Sequence, residues 1–222
     1  MLLAVDCSTR WVGLAIYDGA QVLSEMVWQS QNHHTVEISP ALETLFRHSG
    51  VQRTDLTALG VALGPGSFTS LRIGLALAKG MSLALHIPII GIPTLDIVVA
   101  AQPFQDLPLA AVLHAGRGRL AVGWYNPGSG RWQADGDAQV MVVDDLSQRI
   151  HKPTVVCGEL TAEERQILAR KRRNVLLASP ALSLRRPSYL AELAWRRWQS
   201  GETDDPVSLA PVYLHVADPI PE

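Results

Sequence analysis

Residues 56–92 constrain the fold more than any other stretch of the chain. The apolar run LTALGVAL (56–63) reads as a buried strand and GPGS (64–67) breaks it. A helical run from about Thr69 to Leu85, Pro88 and a short apolar strand, IIGI (89–92), follow. Strand, loop, helix, strand is a crossover unit, so its two strands are parallel and its turn right-handed. Upstream, LLAV (2–5), VGLAIYD (12–18) and QVLSEMVW (21–28) are joined by DCSTRW and by the Asp18–Gly19 turn. That spacing predicts an antiparallel meander. A meander extended by parallel strands is a mixed sheet with helices on its faces. Residues 35–49 supply one such helix: Val36, Leu42, Leu45 and Phe46 recur at helical spacing, Pro40 falls inside, and Gly50 stops it.

The second half repeats the theme. LAAVLHA (109–115) and LAVGWY (120–125) read as strands around GRGR, and NPGSGR (126–131) is a turn. RWQADGDAQVMVV continues in strand style, Asp144–Ile150 reads as a short helix and TVVCG (154–158) as a strand. Thr161 with Glu164 forms a capping-box signature for a helix through Arg172. A further helix covers about Tyr189–Ser200, with Leu190, Leu193, Ala194 and Trp198 on one side and Gly201 at its end. Two meander-plus-helix halves with a seam near 98–108 predict duplicated α/β domains.

Composition narrows the classes. With 47% hydrophobic and 18% charged residues and a net charge of −2, the chain is neither disordered nor a nucleic-acid binder by bulk charge. The net value hides a segment, 149–197, with 11 Lys/Arg against 4 Asp/Glu. It includes Arg170, Lys171, Arg172, Arg173 and the pairs Arg185–Arg186 and Arg196–Arg197. A solvated helix face and a surface for RNA or an acidic partner are both compatible with it. Two cysteines, Cys7 and Cys157, cannot make a disulfide framework and suit a reducing compartment. No basic, apolar leader opens the chain, and the apolar stretch 71–85 is interrupted by Arg72, Gly74, Lys79 and Gly80, which argues against a membrane span.

Three features could carry chemistry. Asp6, Ser8 and Thr9 sit in the turn after the first strand, where a carboxylate with hydroxyls suits a phosphate or its magnesium ion, or a turn that binds its own backbone. In GPGSFTSLRIG (64–74), Ser67 and Thr69 stand at a helix start, where they cap free N–H groups or help hold an anion. No G-K-[ST] follows, so this is not a P-loop, and Ser67 precedes Phe68, so it is not a nucleophile elbow. Third, Ser70, Gly74, Ala78 and Ser82 recur every four residues, a narrow face of small side chains that would admit a second helix. If that face is free, Gly74→Leu blocks helix–helix approach and leaves the fold intact. The histidines show no H-x-x-x-H spacing, so no metal site is legible.

The opening LLAVDCST, the run LGVALGPGSFTSLRIGLALAKG, IPIIGIPTLD and the ending PVYLH occur in the order seen in the TsaB (YeaZ) family, which the whole chain resembles. The resemblance implies an actin/Hsp70/sugar-kinase (ASKHA) type of fold. It implies two related α/β domains with mixed sheets flanked by helices, here 1–102 and 103–222, the C-terminal helix returning to the first. It implies a cytoplasmic, non-catalytic subunit of the machinery that makes N6-threonylcarbamoyladenosine in ANN-decoding tRNAs. Such a subunit pairs with TsaD, with the ATPase TsaE joining them, forms a homodimer when alone, reaches tRNA through the complex and meets ATP or ADP only there.

The family's first loop falls on Asp6, Ser8 and Thr9, a vestigial phosphate loop. Its motif falls on Gly64, Pro65, Gly66, Ser67, Phe68, Thr69, Leu71, Arg72 and Gly74. Its partner or dimer surface falls on Ser70, Leu71, Gly74, Ala78 and Ser82, and its C-terminal signature on Pro211, Tyr213 and Leu214. The sequence departs from the family pattern at Cys7, Ser70 and His215, and the loop His114–Arg119 lacks the usual acidic residues. The competing readings are a stand-alone nucleotide-binding kinase-like enzyme or ATPase using Asp6, Thr9 and Gly64–Ser67, and a glycoprotease-type peptidase.

Overall fold

The computed structural model describes residues 1–31, 33–171 and 173–214, so Arg172 and His215 lie outside the described residues. The chain divides into two compact units, Met1–Ile97 with Arg185–Val212, and Val98–Leu184 with Tyr213 and Leu214.

In the first unit, β1 (Leu2–Asp6), β2 (Trp11–Tyr17) and β3 (Val22–Gln29) form the meander, followed by α1 (His34–Ser49). Then come β4 (Ala58–Ala62), α2 (Phe68–Leu85), β5 (Ile89–Ile92) and α3 (Thr94–Ala100), which runs on into the second unit. The sheet order is β3-β2-β1-β4-β5, with β1, β4 and β5 mutually parallel. This is the mixed sheet predicted from the sequence.

The period of two along β1 decides what each face meets. Leu3, Val5 and Cys7 pack with Ile38, Leu42, Leu45 and Phe46 of α1 and with Leu75 and Ala78 of α2. Leu2 and Ala4 face the other way, against Leu190, Ala191 and Ala194 of the C-terminal helix. Each fully buried leucine contributes about 1.5–3 kcal/mol relative to exposure. Helix α1 ends where Gly50 takes a left-handed φ of 69°, as its glycine stop predicts.

In the second unit, β6 (Leu109–His114), β7 (Leu120–Pro127), β8 (Trp132–Ala134) and β9 (Gln139–Met141) are followed by α4 (Val143–Arg149) and β10 (Thr154–Gly158). Next are α5 (Ala162–Ala169) and β11 (Val175–Leu177), and then α6 (Pro187–Gln199), which belongs to the first unit. The sheet runs β11-β10-β6-β7-β8, with β9 also on β7. Val112, Val122 and Val156 bury one of its faces against Leu146 of α4 and Leu168 of α5.

The capping box at α5 forms as expected: Thr161 Oγ1 accepts from Glu164 N at 3.2 Å and Glu164 Oε2 from Thr161 N at 2.7 Å. The helix ends at Ala169, short of Arg172, because the turn that follows closes Arg170 N onto Ile167 O and leads Asn174 into β11. Neither strand β11 nor helix α3 is predicted from the sequence. Each is short, and β11 gains its definition from pairing with β10.

Candidate functional site

Three loops meet at the carboxyl ends of the parallel strands of the first unit, where open α/β sheets place ligands. They are the β1–β2 turn with Asp6, Ser8 and Thr9, the Gly64–Ser67 loop after β4, and Thr94 after β5. Their hydrogen bonds form a closed set. Asp6 Oδ1 accepts from Ser8 N at 2.8 Å, and Ser8 Oγ pairs with Thr94 Oγ1 at 2.7 Å. Thr94 Oγ1 also accepts from Gly64 N at 2.9 Å, and Ser67 N donates to Ser8 O at 2.7 Å. The loops are so close that a Cβ on Gly66 would lie 2.0 Å from Ser8 O. Ser67 caps α2, accepting from Ser70 N at 3.4 Å.

A residue from far along the chain completes the set. Arg185, just before α6, donates Nε to Asp6 Oδ2, and one Nη donates to Thr9 Oγ1 at 3.1 Å and Trp11 O at 3.3 Å. Asp6 is 1% and Arg185 3% exposed. A carboxylate with one oxygen on a backbone N–H and the other on a buried guanidinium cannot take a cation without breaking a buried ion pair, which is strongly unfavourable. Burial, reinforced by the Asp6 charge, pushes the neighbouring Cys7 thiol far above its ordinary range, so it is no nucleophile. Burial alone pushes the Cys157 thiol up to about 12. Among the described residues, no three His, Cys, Asp or Glu side chains gather as a metal site would require.

The sequence brought Asp6, Ser8, Thr9 and Gly64–Ser67 to notice, and the structure joins them. Thr94 and Arg185 were missed. Thr94 carries the signal of a hydroxyl after an apolar strand and the proline that ends it. Arg185 carries none beyond its place in an arginine pair.

Helix α2 needs a correction. Ser70, Leu71, Gly74, Ala78 and Ser82 are all buried in the first unit, so this stripe is not open to a partner. The reason is close approach: a Cβ on Gly74 would lie 2.9 Å from Cys7 Cβ. Gly74→Leu would therefore disrupt the unit itself, against the expectation that it spares the fold. The outward face of α2 carries Phe68, Thr69, Arg72, Ala76, Gly80, Leu83 and Ala84. Phe68 and Leu83 are 53% and 61% exposed, the Arg72 guanidinium lies 3.7 Å from the Phe68 ring centroid, and nothing comes within 4 Å of a Cβ on Gly80. Alone among the described helices, α2 is long and apolar enough to cross a membrane by length and composition. Its serines Ser70 and Ser82 and Gly74 are buried, as in a core helix.

Most arginines of the basic segment work inside their own unit. Arg186 pairs with Glu25, Arg197 with Asp204 at 3.5 Å, and Arg196 with Glu192 at 3.3 Å. Arg165 donates to Ala178 O at 2.6 Å. In the loop that departs from the family pattern, His114 Nε2 meets Glu164 Oε2 at 3.0 Å. Burial works to raise the Glu164 carboxyl, but His114 and the Thr161 backbone outweigh it and hold it below its ordinary range.

Fold and comparisons agree on the class, an α/β protein of the actin/Hsp70/sugar-kinase type. A ROK hexokinase from Thermus thermophilus superposes with a TM-score of 0.51 at 11% identity, covering 90% of this chain and 99% of that one. YeaZ from Pseudomonas aeruginosa superposes at 0.78, with 23% identity and coverage of 96% and 99%. In sequence, the "tRNA threonylcarbamoyladenosine biosynthesis protein TsaB" of Bacillus subtilis (strain 168) is 29% identical over 225 residues, 98% of this chain and 95% of the relative. Residues 21–201 match the family model described as "TsaD: tRNA N6-adenosine threonylcarbamoyltransferase". The chain belongs to that family, within its TsaB (YeaZ) branch.

Proposed function

We propose that the chain is a non-catalytic subunit of the machinery that makes N6-threonylcarbamoyladenosine in ANN-decoding tRNAs, and that it binds and supports TsaD in the cytoplasm. The relatives' names support the pathway. The observation that carries the non-catalytic part is Arg185 on Asp6. The carboxylate placed to hold a metal-bound phosphate is spent on an internal ion pair.

The pairing surface we assign is the outward face of α2, from Phe68 to Ala84. Ala76, Gly80 and Ala84 are small enough to let a partner helix approach closely, and Phe68 and Leu83 supply apolar area. The same face would serve the homodimer of the isolated chain. TsaE would join the pair, and the ATP or ADP of the modification reaction would be met only in the complex.

The test is co-purification with TsaD from the same source, followed by a tRNA modification assay with and without this chain. Loss of modification in its absence supports the reading, and full modification without it refutes it. Gly80→Arg should weaken TsaD binding without lowering the thermal melt, since the site is open and the substitution gains helix propensity. Titration with magnesium-ATP separates the alternative, since tight binding to the isolated chain that requires magnesium would favour a kinase-like enzyme or ATPase using Asp6, Thr9 and Gly64–Ser67.

A further inference from the structure

The second unit has a concavity of about 420 Å³ whose lining includes Trp124, Tyr125, Asn126, Asp135, Arg149, His151 and Lys152, together with Pro108 and Thr154. It lies at the amino ends of the parallel strands β6 and β10, the end opposite to that used by ligands of open α/β sheets, so it owes nothing to an ancestral nucleotide cleft. Its volume falls in the range of about 300–1,000 Å³ of small-ligand sites.

The lining sorts into three kinds. Trp124 is half-buried and backed by the hydrophobic core of the unit, which fixes its indole as a platform. Asn126 and Asp135 form a polar edge, held in place by the bond from Asn126 Nδ2 to Asp135 Oδ2 at 2.9 Å. Arg149, His151 and Lys152 are exposed on one short stretch, and Arg149 is steadied by its bond to Gln139 Oε1. Three cationic or protonatable side chains thus face one carboxylate. These residues belong to the basic segment singled out in the sequence, and they remain after its arginine pairs have been absorbed by internal bonds.

We propose that this pocket binds a nucleotide, with the base stacked on Trp124, its N–H donors read by Asp135 and Asn126, and its phosphate held by Arg149, His151 and Lys152. A flat ring, an acceptor edge and a cationic rim within one cavity match the three chemical parts of that ligand. The same chemistry is presented by a free nucleoside monophosphate and by an unstacked nucleotide of single-stranded RNA. The proposal rests on the tRNA reading only for the choice of RNA as a probe.

The experiment titrates the full isolated chain with AMP by calorimetry and with a labelled short single-stranded RNA by fluorescence polarisation, both at low salt. Saturable binding of either probe is expected, weakened about ten-fold or more by Trp124→Leu, since one stacked base contributes that much. Lys152→Glu should weaken it similarly and lower the salt slope for RNA by about 0.7 for each phosphate that is no longer neutralised. RNA binding without AMP binding assigns the RNA source, and AMP binding without RNA binding assigns the free nucleotide; both support the site. Absence of binding by both probes overturns it, as does binding that Lys152→Glu leaves unchanged. Lys152 is exposed, so that variant stays informative if Trp124→Leu fails to fold. TsaD takes no part in the titration, so a negative result leaves the co-purification test untouched.

Discussion

Replacing Gly74 and Gly80 by alanine, one at a time, measures which side of α2 meets the sheet. Both glycines lie inside the helix, so each substitution gains about 0.8–1.0 kcal/mol of helix propensity. At Gly80 nothing lies within 4 Å of the new methyl group, and the gain should appear in full as stabilisation. At Gly74 the methyl would sit 2.9 Å from Cys7 Cβ and 3.1 Å from its Sγ, against an ordinary carbon contact of about 3.5–4.0 Å. Helix and strand must then part by about half an ångström, an overpacking cost of about 1–3 kcal/mol. Propensity is common to both variants, so the difference between them isolates that cost. With a urea slope of about 1–3 kcal/mol/M, the midpoints should separate by about 1 M, Gly80→Ala above the parent and Gly74→Ala well below Gly80→Ala. Equal midpoints would refute the inward assignment of the Ser70–Ser82 stripe.

Arg185→Met should cost about 3–5 kcal/mol by stranding the Asp6 charge, and the double variant with Asp6→Asn should recover much of it in urea melts. Thr161→Ala removes a cap and should cost about 1 kcal/mol by the same measurement. The Glu164 carboxyl is held below its ordinary value of 4.5 in the folded state, so the unfolded chain takes up that proton first as the pH falls. Its contribution is therefore complete above about that value and lost progressively below it. Urea midpoints measured from neutral to acid pH should fall less steeply at the acid end for Glu164→Gln than for the parent.

The first unit was largely legible in the sequence. Apolar runs with period two, the Asp18–Gly19 turn and the crossover through GPGS left few topologies for residues 1–97, and the observed strand order is among them. The second unit was legible in its hairpin and its capping box, whose signals are local. Strand β11 was not, because three residues define a strand only through the neighbour that pairs with them. Helix α2 shows the limit of periodicity. Ser70, Gly74, Ala78 and Ser82 form one four-residue series of small side chains, and Ala76, Gly80 and Ala84 form another. A pattern of sizes cannot say which series turns inward.

The sequence by itself determined the mixed sheet, the loop positions at its carboxyl end and the family. Each follows from residues close together in the chain or from a contiguous motif. The tertiary structure decided what those loops can do. Arg185 lies 179 positions from Asp6, and only the return of α6 to the first sheet brings its guanidinium onto that carboxylate. On the opposite face of the same sheet, α2 seats Gly74 directly on Cys7, and that close approach leaves its other small-residue series turned outward. Charge pairing and close packing act through space, and a linear pattern records neither until the chain has closed.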